Sequence, residues 1–126
     1  MGEGANKGRV SVELRDRTKQ FAALIIRLYV KLPKNRDEVI VCGKQLLRSG
    51  TSVAAHMREA SRARSDAEFV SKLGGALQEA DESQLWLELL REECGIQESN
   101  TKPIEIECNE LIAIITTIIR RVGSKS

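Results

Sequence analysis

The chain is poor in the residues that most enzyme chemistry and several fold classes depend on. Its 126 residues include one histidine, two prolines, three cysteines and only 3% aromatics. So few aromatics argue against a sandwich or barrel and suit an aliphatic, all-α protein. One histidine cannot supply the two Glu-x-x-His pairs of a di-iron bundle, and His56 has Val53 three positions before it. No second histidine is present to activate a Ser or Cys nucleophile. Gly74-Gly75 lies inside a helical pattern with no strand before it, so it is no phosphate-binding loop. The expectation is a protein without catalytic residues, metal or cofactor, in which His56 is a packing or partly exposed side chain.

Cys42, Cys94 and Cys108 are odd in number and widely spaced, a pattern of buried thiols rather than of a disulfide framework or zinc knuckle. Neither sign of charge dominates: 20 Lys and Arg against 18 Asp and Glu leave a formal charge of +2. No global polycation therefore drives nucleic-acid binding. The longest apolar run, 111–119, is interrupted by Thr116 and Thr117 and is far shorter than the roughly 20 residues that span a bilayer. Residues 1–8 hold glycines and charges without an apolar segment, so neither signal peptide nor membrane anchor is expected, and the reading is cytoplasmic.

What the chain does have is helical periodicity in a length suited to one domain. Leu14, Phe21, Leu24, Ile25, Leu28 and Leu32 recur at helical spacing and stop at Pro33. Val39, Cys42, Leu46, Leu47, Val53 and Met57 form a second stripe behind Asp37 and Glu38. Ser65 and Glu68 read as a reciprocal capping box that opens a third helix, closed by Gly95 in a left-handed cap. Residues 97–102 read as a polar loop, with Pro103 in the first turn of a fourth helix. Helices are thus expected at 10–32, 37–63, 66–94 and 103–122, between a disordered tail at 1–9 and a frayed end at 124–126. Short connections make this an up-down-up-down antiparallel four-helix bundle.

The run Leu47-Arg48-Ser49-Gly50-Thr51-Ser52-Val53-Ala54-Ala55, then Arg58-Glu59-Ala60, the box from Ser65 to Phe69, and Lys72-Leu73 with Ala76-Leu77-Gln78-Glu79-Ala80, Glu82 and Trp86-Leu87 resemble the bacterial four-helix bundle proteins called 23S rRNA intervening-sequence proteins. His56 departs from the pattern, which usually carries Asn there. The resemblance implies a fold more than a function. Family members resemble the accessory variability determinant of diversity-generating retroelements, a pentameric ring that binds nucleic acid and a reverse transcriptase. On this basis a homo-oligomer, pentameric by resemblance, is expected, and no enzymatic activity.

Three groups of residues stand out as candidate sites. Arg48, Glu59, Glu79 and Glu82 could form a structural polar layer, with Glu79 and Glu82 sharing a face with Trp86. Trp86, Ile112, Ile114 and Ile119 are candidates for the oligomer interface, because the fourth helix carries more apolar width than one bundle face needs. Finally, alternating topology gathers Arg9, Arg15, Arg17, Arg58, Arg62, Arg64, Arg120 and Arg121, with Lys125, at one pole. Glu88, Glu92, Glu93, Glu98, Glu105, Glu107 and Glu110 gather at the other. The leading expectation is a self-associating scaffold or adaptor. The alternative is an accessory protein that contacts RNA or DNA phosphates through the eight arginines, without a stacking platform for sequence readout.

Overall fold

The computed structural model describes residues 9–124, and among them every regular element is α-helical. Helices α1 (Val12–Lys31), α2 (Asp37–Ser61), α3 (Asp66–Glu92) and α4 (Glu98–Gly123) follow one another in an antiparallel four-helix bundle. Each helix packs on its neighbours in sequence, α4 returns to α1, and the α1/α4 seam is the loosest of the four. Phe21, Ile25, Leu46, Met57, Leu73, Leu87, Leu90, Leu111 and Ile115 are fully buried along the axis. They form one aliphatic core, as the scarcity of aromatics implied.

Two of the four helices, α1 and α3, begin where a serine side chain satisfies a free amide. Ser11 caps α1 by accepting from the Leu14 N–H at 3.1 Å, so the helix opens at Val12 rather than at residue 10. The Ser65 hydroxyl accepts from the Glu68 N–H at 3.1 Å, as expected. The Glu68 carboxylate, however, takes the N–H of Arg64 at 2.7 Å and not that of Ser65, so the box closes one residue further out. Gly95 has φ of +73°, the left-handed geometry expected of it. Around it the Cys94 and Ile96 amides donate to the carbonyls of Leu89 and Leu90, which returns Ile96 to the core.

Two further boundaries differ from the sequence reading. The segment 98–102 is helical, and Pro103 lies in the second turn of α4. The proline removes only the bond its N–H would give to the Ser99 carbonyl. Thr101 supplies the reason: it is completely buried and extends the stripe of Ile104, Cys108, Leu111 and Ile115 by one turn. At the other end of the chain, Arg9 is no tail residue. Its N–H donates to the Ser61 carbonyl, its guanidinium pairs with Asp66 at 2.6 Å, and it lies over the Phe69 ring. Val10 beside it is buried. The remainder of the tail expected at 1–9, and residues 125–126, fall outside the described residues. Leu24, expected inside, is instead 37% exposed.

Small residues set the helix spacing. A Cβ built on Gly50 would stand 2.3 Å from Ile25 Cδ1, and one on Gly43 would stand 2.9 Å from Leu32 Cδ1. Glycine at these positions lets α1 and α2 approach closely. Gly74 has open space around the same point, whereas at Gly75 a Cβ would meet the His56 ring at 3.1 Å. Gly74→Ala is therefore expected to stabilise the protein by about 0.5–1 kcal/mol through helix propensity alone. Gly75→Ala should gain less, or lose, because the His56 ring must move. Paired thermal melts check the difference, and equal gains would contradict it.

Candidate interaction surfaces

The α2/α3 seam carries the polar layer. Arg48 on α2 reaches Glu79 at 3.4 Å and pairs with Glu82, both on α3, and the Trp86 indole N–H donates to Glu82 Oε1 at 3.4 Å. Next to them on the inward faces the buried Ser49 and Ser83 hydroxyls lie 2.8 Å apart, and Ser83 donates to the Glu79 carbonyl. Arg48, Glu79 and Glu82 thus meet as expected and set the register of α2 on α3. Glu59 does not join them. It lies about three turns closer to the end of α2, where its carboxylate takes His56 Nδ1 at 3.1 Å and Lys72 Nζ at 3.4 Å. Trp86 belongs to this layer and packs half-buried against the core.

Two cations of the basic pole are joined to carboxylates. Arg9 is spent on Asp66. Arg17 makes a bidentate bond to Glu107 at 2.7 and 2.8 Å and a further bond to Glu110 at 2.6 Å. These bonds hold its pKa well above the ordinary arginine value. Arg9 and Arg17 thus each tie two parts of the chain together. Glu107 and Glu110, expected at the acidic pole, stand across from Arg17 and clasp α1 to α4. Glu105 is likewise withdrawn from that pole: its side chain is 4% exposed and forms two bonds with Arg91, at 2.9 and 3.0 Å. The Arg91 guanidinium, above all, and the Thr101 hydroxyl hold this carboxyl below the usual carboxylate range. Two of the acids placed at one end by residue order alone are thus mid-bundle clasps, and a third is part of the interior.

Arg15, Arg58 and Arg62 line a polar cleft of about 330 Å³ between the start of α1 and the end of α2. Lys19, absent from the sequence-based set, lines it too; its position four residues after Arg15 was the available signal. Arg64, Arg120 and Arg121 are exposed at the same end of the bundle.

Between α1 and α4 a groove of about 520 Å³ opens, lined by Leu14, Ala113, Ile114 and Ile118, with Arg17 and Arg121 at its edges. Ile114 was on the interface list, but Leu14, Ala113 and Ile118 were not. Ile112 and Ile119 pack half-buried against the core outside the groove.

The cysteines are free: Cys94 and Cys108 are buried and Cys42 is half-buried. Burial pushes the Cys108 thiol up to about 12, and it donates to the Ala80 carbonyl at 3.1 Å. Burial chiefly, with the neighbouring Cys42, also raises Cys94. Such thiols are poor nucleophiles. Among the described residues no group of three or more His, Cys, Asp and Glu is arranged to hold a metal ion. No helix among them is long and apolar enough to cross a membrane.

This is an all-α four-helix bundle with ion pairs across three of its helix seams. The chain belongs to the 23S rRNA-intervening sequence protein family, whose model matches residues 11–117. It is similar to the crystal structure of a protein of unknown function from the S23 ribosomal protein family of Bacteroides thetaiotaomicron. The two share 39% identity with a TM-score of 0.77, over 85% of this chain and 95% of that one. No curated protein matches.

Proposed function

We propose that the protein is a non-enzymatic scaffold that assembles with copies of itself through the α1/α4 seam. The observation that carries this reading is the open groove over Leu14, Ala113, Ile114 and Ile118, where α4 leaves aliphatic surface that α1 does not cover. The occupant it fits is a second copy of the chain. The same subunit presents, towards the far end of α1, a convex pair one turn apart, Ile26 and Val30, which are 45% and 70% exposed. A groove and a separate aliphatic ridge on one molecule make a head-to-tail contact, and such contacts close into rings when the rotation permits. A pentameric ring is the closed form suggested by the family resemblance. Exposed aliphatic surface of this kind on a lone subunit favours association.

Light scattering tests the reading. A particle several times the 14.0 kDa of one chain is expected, reduced to single subunits by Ile114→Glu or Val30→Glu with helicity unchanged. A 14.0 kDa particle at micromolar concentration, or an assembly indifferent to both substitutions, would refute it.

A further inference from the structure

We infer that the cleft between the start of α1 and the end of α2 is a binding site for a nucleoside phosphate. Two pairs of cations, each spaced i,i+4, face one another there: Arg15 and Lys19 on α1, Arg58 and Arg62 on α2. The side chains of Lys19, Arg58 and Arg62 meet no carboxylate of the described residues at ion-pair distance. In contrast, Arg9, Arg17, Arg36, Arg48 and Arg91 each have one. A protein that pairs these other arginines and leaves three converging cations without acids has kept a positive field at one place. Asp16 also lines the cleft, but it is one carboxylate against Lys19, Arg58 and Arg62.

The carbonyl end of α2 favours Arg58 and Arg62. Lys19 lies two turns into α1, beyond the reach of either end of that helix, and a bound anion supplies the charge that draws it to the other two. Its chemical class follows from the adjoining compartment of about 300 Å³, which shares Lys19 and Arg58 and is floored by Ala54 and Ala55. A phosphoryl group held among the cations would place an attached apolar, flat body over the two alanines. A ribose and base have that form, whether carried on a free nucleotide or within a single strand of nucleic acid. This site is independent of the α1/α4 groove, so its failure would leave the assembly reading untouched.

The test is binding of a labelled single-stranded RNA of twelve nucleotides, of AMP and of inorganic phosphate, by anisotropy and calorimetry at low salt. Lys19→Gln with Arg58→Gln is compared with Arg120→Gln and Arg121→Gln, which remove the same charge from another part of the pole. The first pair is expected to weaken RNA binding by about tenfold or more and to lower the salt slope by roughly 1.4, the value for two phosphate contacts on a single strand. The second pair should change affinity little. Ala55→Gln, on the neighbouring floor, should reproduce the loss without altering the charge. Binding of AMP and RNA identifies a free-nucleotide site that also accepts strands, and binding of RNA alone identifies a strand site. Equal losses from both double substitutions, inorganic phosphate binding as well as AMP, or no binding by the wild-type protein would each overturn the inference.

Discussion

Arg91→Met should lower the melting temperature at pH 7 by roughly 10 °C, far more than Glu105→Gln. The two residues form one bidentate ion pair, but the consequences of losing either partner are unequal because their surroundings differ. The Glu105 side chain is 4% exposed, whereas that of Arg91 is 21% exposed. Without Arg91 an ionised carboxylate is left in the interior with the Thr101 hydroxyl and the weaker pull of the Lys102 charge. Without the Glu105 charge, Arg91 can turn to water and to Glu92, 3.3 Å away. The double change Arg91→Met with Glu105→Leu should recover most of the loss, since the unpaired buried charge is then gone.

The pH dependence separates this from a simple packing defect. Glu105 is held below its ordinary pKa in the folded wild-type protein, chiefly by Arg91. The associated stability is present above the unfolded carboxylate pKa and is lost as pH falls through the folded value. In Arg91→Met, burial no longer has that opposition and raises the Glu105 pKa, so the variant suffers most at neutral pH and is relieved when the carboxyl takes up a proton. The gap between the two proteins should close as the pH is lowered below about 5. Melting curves at pH 7 and pH 4 that kept the same separation would show that Glu105 is not the cause.

Gly50→Leu should destabilise the bundle by about 1–3 kcal/mol or more, because overpacking in a close helix contact forces a side chain off its rotamer or the backbones apart. Even the first added carbon would stand 2.3 Å from Ile25 Cδ1, with Cγ2 and Cγ1 of the same residue at 3.2 and 3.3 Å. Ile25 is fully buried and β-branched, so it cannot swing into solvent. Gly50→Ala sets the same collision against a gain of about 1 kcal/mol in helix propensity, which makes it the milder change. Ile25→Ala in the Gly50→Leu background should restore part of the lost stability if the clash is local. Denaturant melts in which Gly50→Leu and Gly74→Leu fall equally would show that the contact does not decide the effect.

The fold was legible because helix formation is signalled within a few residues of each boundary. The apolar stripes, the stop at Pro33, the cap at Ser65 and the left-handed Gly95 each rest on sterics or hydrogen bonds that operate locally. The error at residues 98–102 has the opposite, non-local basis. Those residues look like a loop by polarity, and only the burial of Thr101 against the other helices makes them the first turn of α4.

The candidate surfaces were less legible, because a cation in a sequence does not reveal its partner. Arg9 and Arg17 share the charge and the pole of Arg58 and Arg62, yet packing places Asp66 beside the first and Glu107 with Glu110 beside the second. Lys19 gains its place in the cleft from the rotation of α1 against α2. Residue order dictates four helices, their inward stripes and the pole at which the arginines collect, since period and alternation are properties of the chain. Which charges are joined, which remain unpaired and which aliphatic face stays open is decided by helix rotation and stagger. Those depend on contacts between residues far apart in sequence, such as Gly50 with Ile25 and Arg17 with Glu107, that no local pattern contains.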